Sequence, residues 1–280
     1  MRIDAALQYG TSQLADVSPS ARLDAEILLA YCLGKQRSFL YTWPEIMLTP
    51  QQNDDFNNAL IQRADLYPVA YLVGHQEFWS LTLKVTPDVL IPRADTELLV
   101  ETALDKILEV KHPKILELGT GSGAIALALA SERPDSHITA TDISSAALKV
   151  ASENRQSLSI NNVDFIESDW FNDVPIETFD LIVSNPPYID PRDAHLTREI
   201  RHEPIQALAS MNKGLHDLAQ IIDHAPEYLS EQGWLILEHG YDQGRLVSER
   251  LQQAAYRDVS CLSDLNLQDR INLGLKPSDI

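Results

Sequence analysis

Apolar positions change period along the chain. Through residues 3–72 they recur at helical spacing. Ile3, Leu7 and Leu14 share a stripe, and Ala21 to Leu33 sets Leu23, Ile27, Leu28 and Tyr31 on one face before Gly34 stops it. Ser18-Pro19 predicts an N-cap with proline at the first helical position. Thr49-Pro50-Gln51-Gln52 predicts a capping box opening a third helix through Leu66. From His75 to Val85 the pattern turns aromatic and β-branched (Phe78, Trp79, Leu81, Leu83, Val85), which predicts a hairpin. After Val89-Leu-Ile-Pro-Arg-Ala-Asp-Thr-Glu97 an amphipathic helix is expected through about Val110, with Asp95 or Thr96 as its cap.

From Lys114 onward strand and helix patterns alternate. Strands are expected at Lys114–Leu118, His137–Thr141, Val163–Glu167, Phe179–Ser184 and Gly233–Glu238, with shorter ones near Val259 and Ile271. Helices are expected at Ala124–Ser131, Ser145–Gln156, Leu215–Leu229 and Gln243–Ala255. This order predicts an α/β fold, a doubly wound and mostly parallel sheet behind a small all-helical N-terminal domain. The expected boundaries are 1–73 for the helical bundle, 74–92 for the hairpin linker and 93–280 for the sheet domain. The bundle carries no chemical cluster, so it reads either as a plain bundle or as a partner-recognition domain.

The strand Phe179 to Val183 runs into Asn185-Pro186-Pro187-Tyr188, where two prolines end sheet pairing. A residue before proline is held extended, so Asn185 and Pro186 keep their carbonyl groups available to a ligand. An amide, acceptor carbonyls and an aromatic ring thus gather at a strand's carboxyl end, where open α/β sheets bind ligands. The plain alternative is a strand terminator with a surface tyrosine.

Upstream, Ile115-Leu-Glu-Leu-Gly-Thr-Gly-Ser-Gly-Ala124 is a strand feeding a glycine turn that opens a helix. Asp142 ends the next strand, about twenty residues on, where it is placed to accept hydrogen bonds from ribose hydroxyls. Strand, loop, helix and acid in this order predict a nucleoside site over Gly119, Thr120, Gly121, Ser122, Gly123 and Asp142. The same glycines satisfy the permissive dinucleotide pattern, so NAD is the rival ligand. Against it stand Glu117 and the Asn-Pro-Pro-Tyr strand end. Glu117 either balances a cationic ligand or caps backbone donors of the loop. Asp169 and Trp170, at a third strand end, are candidates for the adenine amine and its ring, or else a cap and a core aromatic.

Charge narrows the classes. The chain has 41 acidic and 22 basic residues, a net charge of −19, and no basic cluster, so stable nucleic-acid binding is not expected. Cys32 and Cys261 lie far apart and predict neither a disulfide scaffold nor a zinc site. His195, His202 and His239 are isolated and show no metal-ligand spacing, and no metal is expected. Met1 to Val17 does not read as a secretory signal and no run reads as a membrane span, so the expected setting is soluble, reducing and cytoplasmic.

Glu117-Leu-Gly-Thr-Gly-Ser-Gly123, Asp142, Asp169-Trp170 and Asn185-Pro-Pro-Tyr188 together resemble class I S-adenosylmethionine-dependent methyltransferases acting on planar nitrogen. More closely, the chain resembles the HemK/PrmC family of protein-(glutamine-N) methyltransferases that modify peptide chain release factors. Asp88-Val-Leu-Ile-Pro-Arg-Ala-Asp-Thr-Glu97, Glu203-Pro204 with Ala207-Leu208, and Leu237-Glu-His-Gly240 extend the likeness over essentially the whole chain. Ala94 departs from a common proline, and Ser210 to Gly214 replaces a Gly/Asp-rich loop. The Asp95-Thr96-Glu97 triplet favours release factors over a ribosomal-protein glutamine.

The resemblance implies a Rossmann-like methyltransferase domain at 93–280, S-adenosylmethionine as donor, S-adenosylhomocysteine as product and a monomer with release factors as substrate. It implies that Asn185, Pro186, Pro187 and Tyr188 hold the target amide, Asn185 also adjoining the cofactor. The Asn185 oxygen and the Pro186 carbonyl would accept its two N–H groups, and Tyr188 would pack on its plane. Arg93 and Glu97 are candidates for guiding the peptide, with Pro92 and Arg93 at the substrate entrance. A DNA adenine methyltransferase shares the Asn-Pro-Pro-Tyr motif and is the alternative, opposed by the charge and by the lack of a basic target-reading domain.

Overall fold

The alternation beyond Lys114 builds one seven-stranded sheet. The computed structural model describes residues 1–194, 196 and 200–277, so His195 lies outside the described residues. A two-stranded hairpin, β1 (His75–Phe78) and β2 (Leu81–Lys84), precedes the sheet. The sheet contains β3 (Lys114–Leu118), β4 (His137–Asp142), β5 (Val163–Glu167), β6 (Phe179–Ser184), β7 (Leu229–Glu238), β8 (Arg257–Ser263) and β9 (Asp269–Leu275). Their order is β5-β4-β3-β6-β7-β9-β8, and only β9 runs against the rest.

Both faces of the central strands are buried, which is why they read as continuous apolar runs. Ile115, Leu181 and Val183 pack with the helices Glu97–Lys106 and Ala124–Glu132 on one face. Leu116, Leu118, Ile182 and Leu235 pack with His216–His224 and Gly244–Gln253 on the other. The helix expected over Leu215–Leu229 stops at His224. Pro226 has no N–H to continue it, and β7 already begins at Leu229.

The chain divides into two compact units, Met1–His75 and Gln76–Ile280. The first is helical (Ile3–Leu14, Ala21–Leu33, Arg37–Thr42, Pro50–Ala64, Val69–Val73), with a core of Ile3, Leu7, Leu14, Leu28, Leu29 and Phe56. The capping box forms: Gln52 N–H donates to Thr49 Oγ1 at 3.2 Å, and Thr49 N–H donates to Gln52 Oε1 at 3.0 Å. Three local expectations fail. Ser18 does not cap a helix but donates to Asp24 Oδ2 at 2.8 Å. Leu23 and Tyr31 are 40% and 53% exposed, because Ala25, Leu28 and Leu29 form the buried face instead. The helix after Thr49 ends at Ala64, and Leu66 turns with φ +65°.

Candidate active site

The site grows from the loop between β3 and the helix Ala124–Glu132. Gly119, Gly121 and Gly123 take φ of +74°, +54° and +84°, a turn that side chains would strain. The loop is tied from behind. Thr120 N–H donates to the Thr141 carbonyl at 2.8 Å, and Asn154 Nδ2 donates to the Ser122 carbonyl at 2.9 Å. Asn154 also accepts Lys84 N–H at 2.7 Å and donates to the Lys84 carbonyl at 3.0 Å, fastening β2 to the same loop.

Glu117 lies beneath the turn with 1% exposure. Its Oε2 accepts from Thr120 Oγ1 at 2.6 Å and from Ala126 N–H at 3.1 Å, so it does cap loop and helix donors. Burial nevertheless pushes its pKa up to about 7. Oε1 has no hydrogen-bond partner among the described residues.

A cavity of about 440 Å³ opens at the carboxyl ends of β3 to β6, where the chain order switches from the β4 side to the β7 side. Gly119, Gly121, Asp142, Asp169, Trp170, Asn185 and Pro187 line it, with Asp88, Val89 and Leu90 and parts of 204–217 opposite. Among the described residues its wall holds four carboxylates (Asp88, Asp142, Asp169, Asp217) and no lysine or arginine. Asp142 accepts Gly121 N–H at 2.8 Å through Oδ2 and Ser144 N–H at 2.9 Å through Oδ1. Burial raises its pKa against the pull of those donors. This wall suits a cation and opposes a pyrophosphate.

The strand end after β6 is braced from three sides. Asn185 Nδ2 donates to the buried Thr96 hydroxyl at 3.2 Å, and among the described residues nothing donates to its Oδ1. The Tyr188 hydroxyl donates to Glu238 Oε1 at 3.2 Å. Gln243 Nε2 donates to the carbonyls of Tyr188 at 3.0 Å and Lys213 at 3.1 Å. Burial, and then the nearby Glu238 carboxylate, raise the Tyr188 pKa, so the phenol stays protonated.

Two family models match the chain: the PrmC N-terminal domain over residues 5–74 and the methyltransferase small domain over 94–214. The chain is 51% identical over 264 residues to the release factor glutamine methyltransferase of Pseudomonas aeruginosa, covering 94% of this chain and 95% of that one. It belongs to the release factor glutamine methyltransferase family. The Shewanella oneidensis member is 47% identical over 270 residues, 96% of this chain and 94% of its own. A methyltransferase structure from Pyrococcus furiosus matches with a TM-score of 0.53 at 19% identity, over 71% of this chain and 90% of that one, a likeness of fold.

Within this family member, the structure gathers most of the expected residues and redirects the others. Gly119, Gly121, Asp142, Asp169, Trp170, Asn185 and Pro187 meet at one cavity. Glu117, beneath the loop, and Thr120, Ser122 and Gly123, within it, are not among the lining residues. Pro186 and Tyr188 are not among the lining residues, and Tyr188 packs instead against the core beside β7. Arg93, expected at the entrance, is ion-paired with Glu203, whose other oxygen accepts Ile91 N–H at 3.1 Å. Pro92 is likewise not in the wall, and Asp88 to Leu90 take that place. Glu97, expected to guide a peptide, accepts Trp79 N–H at 2.9 Å and holds the hairpin turn. Thr96, expected only as a helix cap but making no cap bond with its side chain, and Glu238 and Gln243, given no role from the sequence, are side chains that fix the Asn-Pro-Pro-Tyr turn.

Proposed function

We propose that the protein transfers a methyl group from S-adenosylmethionine to the side-chain amide nitrogen of the glutamine in the Gly-Gly-Gln motif of peptide chain release factors. The observation that carries the reading is the free Asn185 oxygen at a strand end lining an acidic cavity. S-adenosylmethionine supplies an electrophilic methyl on a sulfonium centre. The cavity fits such a group, since its wall is acidic and the Gly119–Gly123 loop leaves the backbone open to a nucleoside. Asp142 would hold the ribose hydroxyls, with Asp169 and Trp170 at the base.

An amide nitrogen is a poor nucleophile because its lone pair is delocalised into the carbonyl. Asn185 Oδ1 and the Pro186 carbonyl, beyond the last paired residue Ser184, would accept its two N–H bonds. They aim the nitrogen and stabilise the positive charge that grows on it. A C–N bond forms as the C–S bond breaks, and one N–H proton is released. Pro187 walls the turn, and Tyr188, held by Glu238, braces it from behind. The helical unit at 1–73 is assigned to recognition of the protein substrate.

The test is Asn185→Ala. It is expected to bind S-adenosylmethionine as the native chain does and to lose methyl transfer by roughly 100-fold or more. Near-native turnover would overturn these roles.

A further inference from the structure

Two stretches far apart in sequence complete the wall of the cavity. Asp88, Val89 and Leu90 supply one part, and Pro204, Gln206, Ala207 and Ala209 supply another. Neither stretch belongs to the seven-stranded sheet or to an α-helix, so regular backbone pairing does not fix the gap between them. A side chain does. Glu203 is 3% exposed along its side chain, and both of its oxygens are engaged. Oε2 accepts Ile91 N–H at 3.1 Å, and Oε1 accepts the Arg93 guanidinium.

Ile91 follows directly on Leu90, and Pro204 follows directly on Glu203. One buried carboxylate thus joins the two stretches where each leaves the wall. The second stretch is tied at its other end through backbone alone. Ile189 N–H donates to the Leu208 carbonyl at 2.9 Å, and Ser210 N–H donates to the Ile189 carbonyl at 2.9 Å. Ile189 comes next after Tyr188, so residues 203–210 run from the 91–93 segment to the end of the Asn-Pro-Pro-Tyr turn. The backbone tie survives any side-chain change. The carboxylate tie does not, because its loss leaves the buried Ile91 N–H without an acceptor unless water enters.

We propose that Glu203 is a positioning residue for cofactor binding, a clasp that holds these two parts of the wall at the spacing the bound nucleoside needs. This rests on the reading of the cavity as the S-adenosylmethionine site. Glu203 is not a lining residue and acts through Leu90 and Pro204, its partners' neighbour and its own.

Without the clasp the two stretches part, and the wall is complete in only a fraction of the molecules. Apparent affinity falls by that fraction, while saturating cofactor draws the wall together again. The loss therefore belongs to binding and not to the transfer step. The clasp acts on the wall and not on the methyl group, so S-adenosylmethionine and S-adenosylhomocysteine lose affinity alike.

The experiment titrates both cofactor forms by calorimetry into the full native chain, Glu203→Gln, Arg93→Met, Arg93→Lys and the Arg93→Met/Glu203→Gln double variant, each below its Tm. Kinetics with release factor supply kcat and the KM for S-adenosylmethionine. Glu203→Gln should raise Kd for both forms by roughly 10-fold, with KM rising in step and kcat at saturation falling less than about threefold. Arg93→Met should do the same from a side chain that is 39% exposed, which keeps the test decisive if Glu203→Gln folds poorly. The double variant should be no worse than the more damaged single one, since both cut one clasp. Arg93→Lys keeps the cation and should restore most of the affinity. Native Kd in Glu203→Gln and Arg93→Met overturns the proposal even if Tm falls, because the pair would then serve stability alone. A kcat loss at unchanged affinity also overturns it. If the native chain binds neither cofactor form, the reading of the cavity falls, and the proposal with it.

Discussion

Asn185 Nδ2 donates to Thr96 Oγ1 at 3.2 Å across 89 positions of sequence, which fixes one end of the amide and leaves the other to the cavity. Thr96 itself is 4% exposed and is not one of the residues lining the cavity. Thr96→Val keeps the volume and deletes the hydroxyl, leaving the Asn185 N–H without its partner. It should lower kcat by roughly 10-fold or more with little change in cofactor affinity, while Thr96→Ser restores turnover. Steady-state kinetics on both variants checks this; equal loss in Val and Ser would assign Thr96 to packing.

The Tyr188 end of the turn depends on a glycine. Gly214 has φ +79°, and a Cβ there would stand 1.9 Å from the Tyr188 carbonyl oxygen. Gly34 has a similar φ of +61° with nothing within 4 Å. Gly34→Ala should therefore cost only backbone strain, about 1 kcal/mol, and leave turnover alone. Gly214→Ala must displace Tyr188 and should cost more stability and most of the activity. Denaturant melts and kcat for the pair test the distinction.

Glu117 gives a pH prediction whose sign is opposite to that of a surface carboxylate. Its pKa rises from an ordinary 4.5 to about 7 on folding, so between those values the folded chain keeps a proton that the unfolded chain has lost. Stability from this group is present at low pH and is lost as pH rises through about 7, by roughly 3 kcal/mol at most. Glu117→Gln removes the titration. The native chain should lose Tm relative to Glu117→Gln as pH is raised from about 5 to about 8; a gap that does not change with pH would contradict the account.

Much of this was legible in the sequence because its signals are local. The strand Ile115 to Leu118, its glycine turn and Asp142 read as a nucleoside site within one strand-helix-strand unit, and two prolines mark the end of β6. What pairs across the chain was not legible. Arg93 and Glu203 are 110 positions apart, and Tyr188 and Glu238 are 50 apart. Asp95, Thr96 and Glu97 read as a helix cap or a substrate guide, yet each is spent on a different partner: Arg270, Asn185 and Trp79. In Ala21–Leu33 apolar residues occupy more than one face, so spacing alone could not choose Leu29 over Leu23 for burial. Pro226 did announce the end of its helix, which stops two residues before it.

Transfer of labelled methyl from S-adenosylmethionine to a purified release factor tests the central claim most directly, with a Gly-Gly-Gln→Gly-Gly-Ala factor beside it. The account predicts label on the native factor and none on the variant. Equal label on both, or none on either while S-adenosylmethionine binding is intact, would contradict it.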